Sequence, residues 1–147
     1  MKRVRFFEIF GLVALLALTG IACVSNTVNA NGEKLEGVTW VLKFYGDPDN
    51  LTSAVVGHEP TLTFDKDKGK IGGNGGVNSY GGNYEIHGDE LTVSDLMQTL
   101  LGSTDPALNE QENNFFKILD STQSFNIDDG ELTITGTEGV LVFKNKL

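Results

Sequence analysis

The chain has 147 residues and is poor in sulfur, histidine and positive charge. Its one cysteine is Cys23, so the segment beyond it has no internal disulfide and no cysteine nucleophile. Lys and Arg total 11 against 20 Asp and Glu, a formal charge of −9, which excludes the basic footprint of a nucleic-acid binder. The histidines are His58, before Glu59-Pro60, and His87, in a turn beside Asp89 and Glu90. No His-x-x-x-His spacing joins them, and a zinc site needs three or four good ligands, so both read as exposed turn residues.

Other chemical signatures are missing as well. Asp65, Asp67 and Gly69 start like a calcium loop, but Gly69 stands where an acid is needed and Lys70 where glycine is needed. The glycine-dense stretch from Gly69 to Gly82 lacks a Gly-Lys-Ser/Thr ending and opens no helix, so it does not read as a phosphate cradle. No nucleophile-elbow sequence occurs, and the carboxylates are scattered through turns. The residues therefore assign no catalytic residue, no metal ligand and no cofactor.

What is present is a leader and a core. Apolar residues make up 39% of the chain and nine are Phe, enough for a folded domain. Lys2, Arg3 and Arg5 precede a greasy run from Ile9 to Val24, the pattern of a secretory signal peptide over residues 1–22. A retained N-terminal anchor helix is the other reading, although the run is short of the roughly 20 residues that span a bilayer. Thr19-Gly20-Ile21-Ala22-Cys23 resembles a bacterial lipobox, which makes Cys23 the lipid-attachment residue and the mature N-terminus. Val28-Asn29-Ala30 offers an alternative site, with secretion after cleavage following Ala30. Residues 1–22 hold three of the 11 cations and one of the 20 anions, so the remainder carries −11. Anionic headgroups would repel that surface, so membrane attachment should come from lipid.

Residues 23–34 read as the attachment Cys and a polar tether, and residues 35–147 as one domain. Strand signals dominate it. Thr39 to Tyr45 is β-branched and aromatic, with Trp40, Leu42 and Phe44 expected on one face. Thr61 to Phe64 and the return through Ile71 form a hairpin with a charged tip. Tyr84-Glu85-Ile86 … Leu91-Thr92-Val93 is echoed by Phe125-Asn126-Ile127 … Leu132-Thr133-Ile134, each pair split by a Gly/Asp turn. Gly139 to Phe143 adds a last strand. One helix stands between the echoed hairpins. Asp105 can cap it and Pro106 suits its first turn. Leu108, Phe115, Ile118 and Leu119 trace its apolar stripe, which Glu112 interrupts, while Glu110 and Glu112 near its start suit the helix dipole. The clustered glycines would let a small sheet coil tightly.

Leu35-Glu36-Gly37-Val38-Thr39-Trp40, Gly72 through Tyr84, Asp105 through Glu112, and Gly139 through Phe143 together resemble the META domain, a family that includes HslJ-type bacterial envelope proteins. The resemblance spans roughly residues 35–145 and implies a mainly β (α+β) fold, a small antiparallel barrel-like sheet with one helix packed on it. It implies an extracytoplasmic site, a link to stress or antibiotic tolerance, and no accepted catalytic residues. Where that family often carries a cysteine pair, this chain has Val77 and Ser103. A bridge there would contribute roughly 2–4 kcal/mol, which packing must supply instead.

Asn78, Tyr80 and Tyr84 sit beside the flexible glycines and could line a barrel mouth, as a ligand or partner surface. The alternative is core packing, with Asn78 tying down a turn. The expected function is that of a non-enzymatic, monomeric lipoprotein held at the membrane by its N-terminal lipid and touching other envelope proteins. A carrier of small hydrophobic ligands in the barrel interior is the alternative, and a filled interior would favour the former.

Overall fold

The computed structural model describes residues 32–146. A single helical turn, α1 (Gly32–Leu35), precedes β1 (Trp40–Asp47), β2 (Asn50–Ser53), β3 (Thr61–Asp65), β4 (Lys70–Asn74), β5 (Ser79–His87) and β6 (Glu90–Gln98). Helix α2 (Pro106–Asp120) follows, then β7 (Thr122–Asp128), β8 (Glu131–Gly136) and β9 (Gly139–Asn145). Every strand pairing is antiparallel. Strands β1 and β3 to β9 lie in the order β1-β3-β4-β5-β6-β7-β8-β9, and β1 pairs with β9 to close an eight-stranded barrel. The short β2 folds back on the second half of β1. The expected fold is therefore the observed one.

Closure abolishes nearly all strand edges. The weak seam is between β6 and β7, which share one registered pair, Glu90↔Ser124, beside a bond from the Phe125 N–H to the Asp89 carbonyl. Helix α2 is the connection across that seam.

The two echoed segments form matching hairpins that are neighbours in the barrel. Tyr84↔Val93 and Ile86↔Leu91 correspond to Phe125↔Ile134 and Ile127↔Leu132. Each turn has two central residues. Gly88 takes φ +72° in the first, whereas Asp129 and Gly130 both take positive φ in the second, as a twist-matched hairpin turn of the primed kind requires.

Strand β1 departs from strict alternation. Trp40 and Leu42 face the core as expected, but Phe44 is 41% exposed and Tyr45 is buried in its place. The cause is a β-bulge between Leu42 and Phe44 against β9. One extra residue reverses which face each later side chain takes.

Side chains fill the barrel. Trp40, Leu42, Leu62, Leu91, Leu132, Ile134, Leu141 and Phe143 are buried from the strands, and Leu35, Phe115, Ile118 and Leu119 from the helices. Phe115 meets Tyr80, Phe116 and Phe143 edge-on, with ring centroids 5.5, 5.2 and 6.4 Å away. Edge-to-face contacts of this kind add to the area that the rings bury. The Trp40 indole N–H donates to the Leu35 carbonyl at 3.0 Å, which fastens α1 to the barrel.

Glycine gives close approach at two positions that matter to the site. A Cβ at Gly73 would stand 2.0 Å from the Thr61 carbonyl oxygen, and one at Gly75 would stand 2.7 Å from a Glu112 carboxylate oxygen and 2.8 Å from the Phe116 ring. Neither position has room for a side chain.

Candidate functional site

Helix α2 opens as its sequence indicates. Asp105 is the N-cap, its carboxylate accepts the Ala107 N–H at 2.9 Å, and Pro106 occupies the first turn. Glu110 and Glu112 do not serve the dipole in the first turn, which carries no acid. They lie a turn later, and Glu112 is turned inward.

Glu112 is the centre of a buried clamp. Its Oε1 accepts the backbone N–H of Val77 at 3.1 Å and that of Asn78 at 2.6 Å. Its Oε2 accepts the Asn78 Nδ2 at 2.6 Å. Asn78 is buried and uses its whole amide. Nδ2 also donates to the Leu101 carbonyl at 3.0 Å, and Oδ1 accepts the Leu101 N–H at 2.7 Å and the Thr99 hydroxyl at 2.8 Å. Helix, glycine loop and the strand-to-helix loop are thus joined through two side chains. Gln111 does the same for another loop. Its Oε1 accepts the Val55 N–H at 2.6 Å, and its Nε2 donates to the His58 carbonyl at 2.8 Å. Among the described residues, no buried side-chain nitrogen or oxygen lacks a partner.

Such an arrangement is suited to holding, because every donor faces an acceptor and the carboxylate receives three N–H groups. The three candidate mouth residues are not gathered at one opening. Asn78 lies inside the clamp. Tyr80 is buried beneath α2, its ring 5.3 Å from Phe116 and its hydroxyl donating to the Thr61 carbonyl at 2.9 Å. Burial pushes its ionisation far above the ordinary tyrosine value. Tyr84 is half-buried and meets Phe64 edge-on at 5.1 Å. Partial burial raises its ionisation, and the negative charges of Glu36 and Asp65 raise it further.

His58 and His87 are exposed, and His87 stands 3.9 Å from Glu85. Among the described residues, no three His, Cys, Asp or Glu side chains are grouped to hold a metal ion. The tip at Asp65 is an ion pair with Lys68 at 2.7 Å, and that bond holds the Asp65 carboxyl below its usual range. Cys23, together with the leader and most of the tether, lies outside the described residues.

From sequence alone Glu112 reads as a flaw in the apolar stripe and as an acid suited to the helix dipole, and Gln111 draws no notice. The usable signal is two adjacent polar residues, Gln111 and Glu112, on the inward side of an otherwise apolar helix.

Beyond the clamp, one of the surface grooves has apolar walls. It lies between the end of β6 and the second half of α2, encloses about 320 Å³, and is lined by Leu96, Met97, Gln98, Phe116, Lys117 and Asp120.

Comparison with known proteins places the fold. A family model described as META domain matches residues 33–146. The chain belongs to the META domain family.

Solved structures share this META fold at low identity. An NMR structure of a protein from Burkholderia xenovorans is 20% identical, with a TM-score of 0.63 over 78% of this chain and 85% of that one. A second NMR structure is 24% identical, with a TM-score of 0.60 over 76% of this chain and 92% of the other. A crystal structure of a DUF4847 family protein from Bacteroides vulgatus is 16% identical, with a TM-score of 0.56 over 76% and 94% of the two chains. No curated protein matches. In this META domain Val77 and Ser103, the positions where the resemblance implied a cysteine pair, carry polar ties. The Val77 N–H goes to Glu112, and the Ser103 N–H and carbonyl both bond the Asn109 amide.

Proposed function

We propose that this META protein is a non-enzymatic envelope lipoprotein, anchored outside the cytoplasmic membrane through Cys23 and acting by contact of its outer surface with other envelope components. The observation that carries the reading is the use of its interior. The barrel is filled by Trp40, Phe115, Phe143 and their aliphatic neighbours, and the polar groups of Asn78 and Tyr80 are spent on internal bonds. What remains available to another molecule is the exterior. The N-terminal pattern supports the anchor, since a basic head, an apolar run and Ala22-Cys23 occur in that order. Several acyl chains on one Cys would hold a protein of charge −11 that anionic headgroups would otherwise repel.

The test is fractionation of cells producing the parent or Cys23→Ala, together with labelling by a fatty-acid analogue. The parent should be labelled and membrane-bound, and the variant unlabelled and released. An unlabelled parent, or an unchanged distribution, would remove the anchor.

A further inference from the structure

Among the described residues, the seam between β6 and β7 leaves the outer edge of β6 without a strand partner from Val93 to Gln98, because the registered pair across it is Glu90↔Ser124. The groove walled by Leu96, Met97 and Phe116 runs beside that edge. Next to it the chain exposes large apolar side chains: Met97 is 75% exposed, Leu100 92% and Leu101 65%. They are not on a slack loop. The Asn78 amide grips Leu101 at both its N–H and its carbonyl, the Thr99 hydroxyl bonds the same amide, and the Thr99 N–H bonds the Ser79 carbonyl. Holding apolar groups rigidly in water is unfavourable, whereas it lowers the entropic cost of binding a partner.

Charge narrows the occupant. Asp95 sits in the bulge of β6 at φ +51°, and Asp120 lines the groove. Neither forms an ion pair among the described residues, while Lys117, the groove's cation, is held by Glu138 at 2.5 Å. A second copy of this chain would bring the same acids to the same edge and be repelled, so the bulge and its charges select against self-pairing. An extended segment with cationic ends would be attracted.

We propose that the free edge of β6 and the adjoining groove accept an extended, positively charged segment of a partner protein as an added strand. Main-chain bonds to the edge would hold it, and alternate apolar side chains would enter between Met97 and Phe116. This deepens, and rests on, the surface-contact reading above. It does not depend on the lipid, so it can fail while the anchor stands.

The probe is a fluorescein-labelled peptide, Lys-Val-Thr-Leu-Thr-Val-Thr-Leu-Lys, titrated with the purified protein by anisotropy. Two control peptides carry Glu at both ends or N-methyl groups on alternate residues. The Lys-ended peptide should bind with a Kd below about 100 μM, and both controls should bind at least about tenfold more weakly. Met97→Lys should weaken binding at least about fivefold with unchanged melting, whereas Val56→Ser, at an exposed apolar site elsewhere, should leave it unaltered. Amide NMR shifts should concentrate at Leu96–Gln98 and Phe116. Failure to bind at about 1 mM, equal binding of the N-methylated peptide, or indifference to Met97→Lys would overturn the proposal. So would a dimer abolished by Met97→Lys, which would make a second copy the occupant. Binding to phosphatidylcholine vesicles that is lost in that variant would make the occupant a lipid surface and overturn the proposal equally.

Discussion

Replacing Glu112 with Ala removes the one acceptor shared by the Val77 N–H, the Asn78 N–H and the Asn78 Nδ2, at 3.1, 2.6 and 2.6 Å. A hydrogen bond to a charged group is worth roughly 1.5–3 kcal/mol, and each buried donor left unmatched costs about 1–3 kcal/mol. The three are not additive, because water will reach part of the vacated space. We expect a loss of about 3–5 kcal/mol, which in a domain of this size lowers Tm by about 4 °C for each kcal/mol. Glu112→Gln keeps the volume and one carbonyl oxygen but sets its amide N–H groups against those of Asn78, and should cost less, about 1–2 kcal/mol. Asn78→Ala should cost about 3 kcal/mol, since it also frees Leu101 and Thr99. Urea unfolding of the parent, both Ala variants and their double gives a thermodynamic cycle. Residues in one network should couple by about 1–3 kcal/mol. Strict additivity, or a loss under about 1 kcal/mol for Glu112→Ala, would refute the clamp as a fastening.

Three further outcomes follow from the same structure. The ionisation of Tyr80 is raised by burial, so the unfolded chain releases that proton first as pH rises through about 10; the contribution of this group should be constant below that pH and be lost above it, and Tyr80→Phe should shrink the fall in urea midpoint between pH 8 and 10.5. Gly73→Ala places a methyl 2.0 Å from the Thr61 carbonyl and should cost about 3 kcal/mol or yield no soluble protein, so a variant that melts like the parent would contradict the β3–β4 geometry. The bulge in β1 predicts that Phe44→Ser changes stability by less than about 1 kcal/mol while Leu42→Ala costs about 2–5 kcal/mol, a contrast that thermal melting reads directly.

Much of the fold is legible in the sequence because local signals and long-range packing agree. The echoed hairpins announce themselves by an aromatic and an Ile before a Gly/Asp turn and by Leu-Thr-aliphatic after it, and those residues pair in register. Asp105-Pro106 marks the helix start by capping chemistry alone. Strict alternation misplaces Phe44 because a bulge depends on the partner strand, β9, almost a hundred residues away, and period-two reasoning has no access to that partner. The clamp is half-legible. Asn78 can be read as a residue that ties down a turn, but its carboxylate partner looks like a defect in an apolar stripe. A polar residue on a buried face is interpretable only once the backbone amides that it serves are located in space. The groove beside β6 is not legible, since it exists only where two elements fail to zip together.

Trp40, Phe115, Phe143 and their aliphatic neighbours fill the barrel, and the proposed function therefore places contacts with other molecules on its outer wall. The direct measurement is Tm of the purified protein against a panel of lipids and hydrophobic drugs. A ligand that enters the barrel and is present at 100 times its dissociation constant would add about 2.7 kcal/mol. We predict no such rise from any of them, and an unaltered melt in Trp40 fluorescence. A saturable rise in Tm, with the Trp40 emission changing in step, would contradict the account.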